Sequence, residues 1–270
     1  MDIKKQKLSD FLNSIFEHEV FGVQIRSIGS SLGLSAQDIA DEFFRYNLDV
    51  QSLEGNEVYE SIANRFVLYI HNLINGSWHT ERQKVTKDLI SMVNPRHMVD
   101  VGFGVPSKYV YDLVIRANKL NVTLVDKYDS AFTFARQLLN HWDEKWDANR
   151  ETKIFFSKMD MDHDEYIGDY DLYLFQDAIE HAQDPTGCLK KHVDLSPVDA
   201  KFIISLPIGP IFPRHYMAWA TQEAGKRWLE VCGLKIEAQE KIFVNPKVDL
   251  FADQIDPNYH DLYALCTKIK

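Results

Sequence analysis

Cysteine is scarce in this chain: Cys188, Cys232 and Cys266 are its three cysteines among 270 residues. They lie far apart and form no Cys-x-x-Cys pair, so neither a zinc knuckle nor a redox dithiol is indicated. They read as isolated thiols of a reducing compartment. Long apolar runs are lacking too. No stretch approaches the roughly 20 residues that span a bilayer. The start, Met1-Asp2-Ile3-Lys4-Lys5-Gln6-Lys7, is not followed by an apolar secretion segment. We therefore expect a cytoplasmic protein with no membrane association. Positive charge is the third shortage, with 30 Lys and Arg against 40 Asp and Glu and a net charge of −10. Nucleic-acid binding draws on Lys and Arg to neutralise phosphates, so no nucleic-acid partner is expected. Internal repeats, low-complexity tracts and long charge blocks are absent as well.

What is present is a globular chain with two characters. Hydrophobic residues at 45% and charged residues at 26% fit a folded domain, and the length suits a large domain plus a smaller one. The first 94 residues read as helices by apolar periodicity. Leu8, Phe11, Leu12, Ile15 and Phe16 mark one. Ser35 with Asp38 three residues on opens another in a capping-box arrangement, burying Ile39, Phe43 and Phe44. A third runs from about Glu57 to Leu73. A fourth passes through Val85, Leu89, Ile90 and Val93 and stops at Asn94-Pro95. Ile28 to Phe44 resembles a helix-turn-helix, but its second helix carries Asp38, Asp41 and Glu42 where DNA binding wants basic residues. It reads instead as a packing or dimerisation element.

From 95 to 270, short β-rich runs alternate with helices. Strands are expected at His97–Val101, Val122–Val125, Ile154–Ser157, Tyr170–Phe175, Phe202–Leu206, Lys235–Val244 and Leu262–Ile269. Helices are expected at Ser107–Leu120, from Ser130 to about Trp142, from Pro185 to about Val193, and at Thr221–Cys232 before Gly233. This alternation predicts a doubly wound α/β domain, a mostly parallel seven-stranded sheet covered on both faces, behind an N-terminal helical domain.

The segment Met98-Val99-Asp100-Val101-Gly102-Phe103-Gly104-Val105-Pro106-Ser107 ends a strand in two glycines and enters a helix near a proline. Glycines there permit a tight turn and close approach of a ligand. The next strand ends at Asp126, about 20 positions on, where a carboxylate can accept from ribose hydroxyls. The third ends in Met159-Asp160-Met161, a carboxylate for an adenine amino group beside a thioether for its ring. Alone, each acid reads as a solvated or capping group. Together they sit at the carboxyl ends of adjacent strands, where open α/β sheets bind ligands. A dinucleotide fingerprint wants a third glycine where Ser107 stands, and a phosphate-binding loop wants Gly-Lys-Ser/Thr. Neither is met.

Asp100-x-Gly102-x-Gly104 resembles motif I of the class I S-adenosylmethionine-dependent methyltransferases, and the segment Tyr170 to Pro185, with Glu180-His181 and Pro185, is similar to the fourth-strand segment of their small-molecule branch. Thr221 to Gly233 resembles their late helix. Val105-Pro106 departs from the family, which often has a further glycine there. The resemblance implies S-adenosylmethionine as cofactor, held by Asp100, Gly102, Gly104, Asp126, Lys127, Asp160, Met161 and Gln176. It implies methyl transfer by in-line displacement to a small-molecule acceptor, at an O, N or C atom that the sequence does not select. Asp177 and His181 lie beside the expected methyl position: His181 is the first candidate base where the acceptor is a hydroxyl or protonated amine, and Asp177 is a second catalytic candidate or places the methionine amine. Asp177 and His181 are also four apart, short of the third ligand a metal requires, and no metal is assigned. Arg214, His215, Tyr216 and Trp219, in the loop after the fifth strand, and Trp78 and His79 are candidates for the acceptor. The N-terminal helices are expected to serve as a lid, a homodimer interface or both. Two other readings are a methyltransferase acting on RNA or protein and a non-catalytic cofactor-binding module.

Overall fold

A computed structural model of the chain describes residues 3–48, 60–73, 77–107, 120–142, 154–164, 168–211, 215–243, 256 and 258–269. In chain order the elements are helices α1 (Ile3–Glu17), α2 (Phe21–Ser31), α3 (Ala36–Leu48), α4 (Ile62–Leu73) and α5 (Ser77–Val93), then strands β1 (His97–Val101) and β2 (Asn121–Asp126), helix α6 (Asp129–Trp142), strands β3 (Ile154–Lys158) and β4 (Leu172–Phe175). A 3-10 turn (Ile179–His181), helix α7 (Pro185–Leu195), strand β5 (Lys201–Ile208), helix α8 (Gln222–Val231) and strands β6 (Leu234–Phe243) and β7 (His260–Lys268) complete them. No helix among the described residues is long and apolar enough to cross a membrane. The helix expected at Ser107–Leu120 lies almost wholly outside the described residues.

The chain divides into two compact units. One comprises Met1–Ile74, Gly104–Pro106 and Tyr128–Asn149, the other Asn75–Phe103, Ser107–Lys127 and Arg150–Lys270. In the first unit α3 packs on α4, and α4 and α2 pack on α6. Ile25, Ile28, Ile39, Phe43, Phe66, Ile70, Phe134 and Leu138 are all buried there. Phe66 meets Phe134 edge to face with ring centroids 4.8 Å apart, a contact worth about 0.5–1.5 kcal/mol beyond its buried area. The capping box predicted at α3 forms. The Ser35 amide donates to Asp38 Oδ2 at 2.8 Å, and the Asp38 amide donates to Ser35 Oγ at 3.2 Å.

The sequence reading missed α2. Gly22 and Gly29 weaken its helical pattern, but the corner with α1 requires the first of them. A Cβ on Gly22 would fall 2.0 Å from the Phe16 carbonyl oxygen.

The second unit is built on a seven-stranded sheet in the order β3-β2-β1-β4-β5-β7-β6. β1 pairs in parallel with β2 and β4, β2 with β3, and β4 with β5, while β7 runs antiparallel between β5 and β6. Every residue of β4 is buried, and β5 is buried from Phe202 to Ile208. Continuous apolar runs are what a sheet covered on both faces demands. β4 begins at Leu172 rather than Tyr170, because Asp171 is used as a clasp. Its carboxylate accepts from the Arg96 and His97 amides at 2.8 and 3.0 Å and fixes the start of β1. The carboxyl ends of the parallel strands share one edge. The antiparallel β7 starts at that same edge, where Asp261 pairs with Pro207 and His260 with Ile208. Helix α5 packs against β5, β6 and β7.

Candidate functional site

The turn after β1 is the tightest feature of that edge. Gly102 has φ +69, a region that side chains disfavour. Its amide and that of Phe103 both donate to the Val125 carbonyl, at 2.8 and 3.2 Å, which ties the turn to the end of β2. A Cβ on Gly102 would lie 2.9 Å from the Ala178 Cβ and 3.9 Å from the Met161 thioether methyl. Backbone, Ala178 and Met161 thus form a cradle that any side chain at 102 would fill. Gly104 has φ +58. It belongs to the first unit, where its carbonyl accepts from Arg65 at 3.1 Å, and Arg65 also donates to Ser130.

Asp100, one residue before the end of β1, and Asp126, the last residue of β2, are 5% and 7% exposed. Burial pushes the Asp100 carboxyl up to about 7, and the charge of Asp126 adds to the rise. Two carboxylates held in this way favour a cation or a set of hydroxyl donors as their partner. Asp160 is turned into its own loop. One oxygen accepts from the Asp162 amide at 3.0 Å, and the other is 3.8 Å from the Lys127 ammonium. The Met161 carbonyl accepts from Lys191 at 3.0 Å. The predicted residues Asp100, Gly102, Asp126, Lys127, Asp160 and Met161 therefore lie along the ends of three adjacent strands.

After β4 the chain does not continue as a helix. Asp177 has φ +49, and the next residues form the 3-10 turn. Ser205 of β5 holds this strained position from both sides. The Asp177 amide donates to Ser205 Oγ at 2.7 Å, and Ser205 Oγ donates back to Asp177 Oδ1 at 3.0 Å. The other Asp177 oxygen is ion-paired with Arg82. Arg82, on α5, is 8% exposed. Its Nε donates to the Tyr263 hydroxyl at 3.0 Å and lies 3.5 Å from Asp261 Oδ2. The guanidinium also stacks over the Trp78 ring, 4.9 Å from its centre. Asp261 accepts from Trp78 Nε1 at 2.8 Å and from the Tyr259 hydroxyl at 3.0 Å, and Gln176 donates to Tyr263 at 3.2 Å. Both Asp177 oxygens are therefore engaged, one by Ser205 and the other by Arg82.

His181 ends the 3-10 turn and meets His215 edge to face, with centroids 4.7 Å apart. The Tyr216 amide donates to the Glu180 carbonyl at 2.8 Å, which pins the loop after β5 onto the turn after β4. Glu180 is 1% exposed. Its carboxyl is pushed up to about 8 by burial, aided by the charge of Asp261 and opposed by its own backbone amide and Arg82. Glu180, His181 and His215 can each offer one ligand atom, all within 4.8 Å of one another.

The acceptor candidates separate. His215 joins the cluster and Tyr216 is exposed, while Trp219 is buried against Trp228 with centroids 4.7 Å apart. Trp78 is engaged by Asp261 within the second unit, His79 stacks beside it at 5.0 Å, and Arg214 lies outside the described residues. The sequence reading noted Glu180 only as part of the Glu180-His181 pair and gave it no role, and it passed over Arg82, Ser205, Tyr259, Asp261 and Tyr263. Two signals were available. Trp78 and Arg82 are one helical turn apart, and 259, 261 and 263 alternate onto one face of an extended segment.

No family model matches the chain, and no curated protein matches it. Solved structures do. The N-methyltransferase NodS from Bradyrhizobium japonicum WM9, in complex with S-adenosyl-L-homocysteine, is similar with TM-score 0.54 at 12% identity, over 80% of this chain and 100% of that one. The magnesium protoporphyrin IX methyltransferase ChlM from Synechocystis PCC 6803, also with that product bound, gives TM-score 0.50 at 13% identity, over 87% and 100%. The [4+2]-cyclase SpnF gives 0.56 at 12%, over 73% and 84%. With the sheet order described above, these likenesses show that the chain has the fold of the class I S-adenosylmethionine-dependent methyltransferases.

Proposed function

We propose that the chain is an S-adenosylmethionine-dependent methyltransferase acting on a small-molecule acceptor. The observation that carries this reading is the Gly102 cradle set between two buried, converging carboxylates, Asp100 and Asp126. At Gly102 no side chain stands between the backbone and a ligand, and the charge of the two carboxylates calls for a cationic, hydroxyl-bearing one. S-adenosylmethionine answers both requirements, and when bound it supplies an activated methyl group on a sulfonium. Asp126 would accept from the ribose hydroxyls, Gly102 would let the backbone approach the ligand closely, and Met161 would pack beside it. The chain's own work is then orientation and exclusion of water, which in well-held systems can lower a barrier by roughly 7–11 kcal/mol. The acceptor's polar group would face Glu180, His181 and His215, where the two imidazoles are partly exposed.

The test is titration calorimetry of S-adenosylhomocysteine into the purified protein, with Asp126→Ala as control. Micromolar binding that disappears in the variant is the expected result. The absence of binding to the unaltered protein would refute the reading. The cyclase SpnF, on the same fold, favours one rival, a cofactor-binding protein that moves no methyl group. Incubation with methyl-labelled cofactor and a panel of small acceptors separates the two. Tight binding without any labelled product across the panel would favour the rival.

A further inference from the structure

We propose that Glu180, His181 and His215 form a binding site for one divalent transition-metal ion, at the turn after β4. The sequence suggested only Asp177 and His181 as a pair of ligands, and the structure commits the Asp177 carboxylate to Arg82 and Ser205. It offers a different set in its place. Glu180 and His181 are adjacent on the 3-10 turn, and His215 comes from the loop after β5. The ligand atoms of all three lie within 4.8 Å of one another. Ligands at about 2.0–2.2 Å from a common ion stand at most about 4.4 Å apart, so only a slight contraction is needed.

A second observation points the same way. Glu180 is 1% exposed, and its Oε2 is buried with no hydrogen-bond partner among the described residues. Burying a carboxylate oxygen without a partner is costly, and carboxylates that stay buried are paired or coordinate metals. The hydrogen bond from the Tyr216 amide to the Glu180 carbonyl fixes the spacing of the two loops before any ion arrives. Two imidazoles and one carboxylate suit zinc, cobalt, manganese or ferrous ions better than magnesium or calcium, which prefer all-oxygen sites. Such a set leaves coordination positions open. On the methyltransferase reading, those positions would take an oxygen or nitrogen of the acceptor. The ion site itself does not depend on that reading.

Chelator-treated full-length protein is titrated with Co2+, followed by visible absorption, and in parallel with Zn2+ and Mn2+. One Co2+ per chain, displaced by Zn2+, is expected. His181→Ala and His215→Ala should each weaken binding at least about tenfold, since losing even a group that merely supports a ligand costs about 10–100-fold. Melting curves confirm that each variant is folded. An arm without variants uses NMR, where Mn2+ should broaden the ring signals of two of the ten histidines in the unaltered protein. The absence of stoichiometric binding of any of the three ions would overturn the proposal, as would affinity that survives the double histidine variant. Calorimetry with S-adenosylhomocysteine, run on the same samples, reads the cofactor site separately.

Discussion

Asp100 offers the sharpest test of the cofactor side. Its carboxyl, ordinarily near 3.8, is raised to about 7 by burial and by Asp126. The native state therefore binds this proton more tightly than the unfolded chain does. Stability linked to Asp100 is complete at low pH and is lost as pH rises through about 7. Displacing the group from 3.8 to about 7 is worth about 4 kcal/mol, at about 1.4 kcal/mol for each pH unit. Asp100→Asn keeps the shape of the protonated carboxyl and cannot ionise. At about pH 8 the variant should be more stable than the unaltered protein by about 4 kcal/mol, at about pH 5 by only about 1–2 kcal/mol, and the gap should close below about pH 4. In melting experiments this is a gain of roughly 2–4 °C per kcal/mol that grows from about pH 5 to about pH 8. Equal differences at both pH values, or a larger gain at the lower one, would show that Asp100 is not held protonated. The same variant should bind S-adenosylmethionine more weakly, because the substitution removes the charge that a cationic ligand meets. In the unaltered protein, affinity should therefore tighten as pH rises through about 7.

Gly102→Ala forces a side chain into φ +69 and to within 2.9 Å of Ala178. It should cost about 1–2 kcal/mol of stability and abolish S-adenosylhomocysteine binding in calorimetry; retained affinity would remove the cradle from the argument. Arg82→Met leaves Asp261 buried beside a missing cation and should cost about 3–5 kcal/mol in urea unfolding. Adding Asp261→Asn should restore part of that loss, and a purely additive double variant would contradict the pairing. Ser205→Ala removes the group that both accepts from and donates to Asp177. It should cost about 1–3 kcal/mol, and an unchanged melting temperature would mean that Arg82 alone holds the turn.

The parts of this fold that local chemistry dictates were legible. The strand–glycine–glycine pattern at Asp100 to Gly104, the acid ending β2 and the Ser35–Asp38 box each state their structure within a few residues. So does Thr221, which caps α8 by accepting from the Ala224 amide at 3.2 Å. Helix α2 was not legible, because Gly22 lowers helix propensity for the sake of a contact 6 residues back in the chain. The Arg82 network was hidden for a related reason. Arg82 continues the stripe of Leu89 and Ile90 on α5, but a charged residue there reads as solvent-facing until its partners, about 180 residues later, are known. Glu180, His181 and His215 fall in two segments brought together by the pairing of β4 with β5, by Ser205 holding Asp177 and by the backbone hydrogen bond from Tyr216. No local pattern announces such a meeting.

The fold fixes where the chemistry takes place and leaves the reaction to the loops. NodS and SpnF are named for different reactions, although this chain resembles both over most of its length. In this chain the segments after β4 and β5 carry the clustered ligating side chains. Here those segments are unusually constrained. Asp177 is held in a left-handed conformation by Ser205 and Arg82, and the Tyr216 amide fastens one loop to the other. Strain of this kind persists only when its surroundings over-determine it, and it gathers where function requires a fixed geometry. Holding Asp177 places Glu180 and His181 three and four residues later, on a turn too short to drift, facing His215. The Glu180, His181 and His215 cluster is thus assembled before any ligand binds. On the proposed reading Asp100 and Asp126 serve the cofactor, which leaves this second, separately pinned cluster of ligating side chains to serve the acceptor.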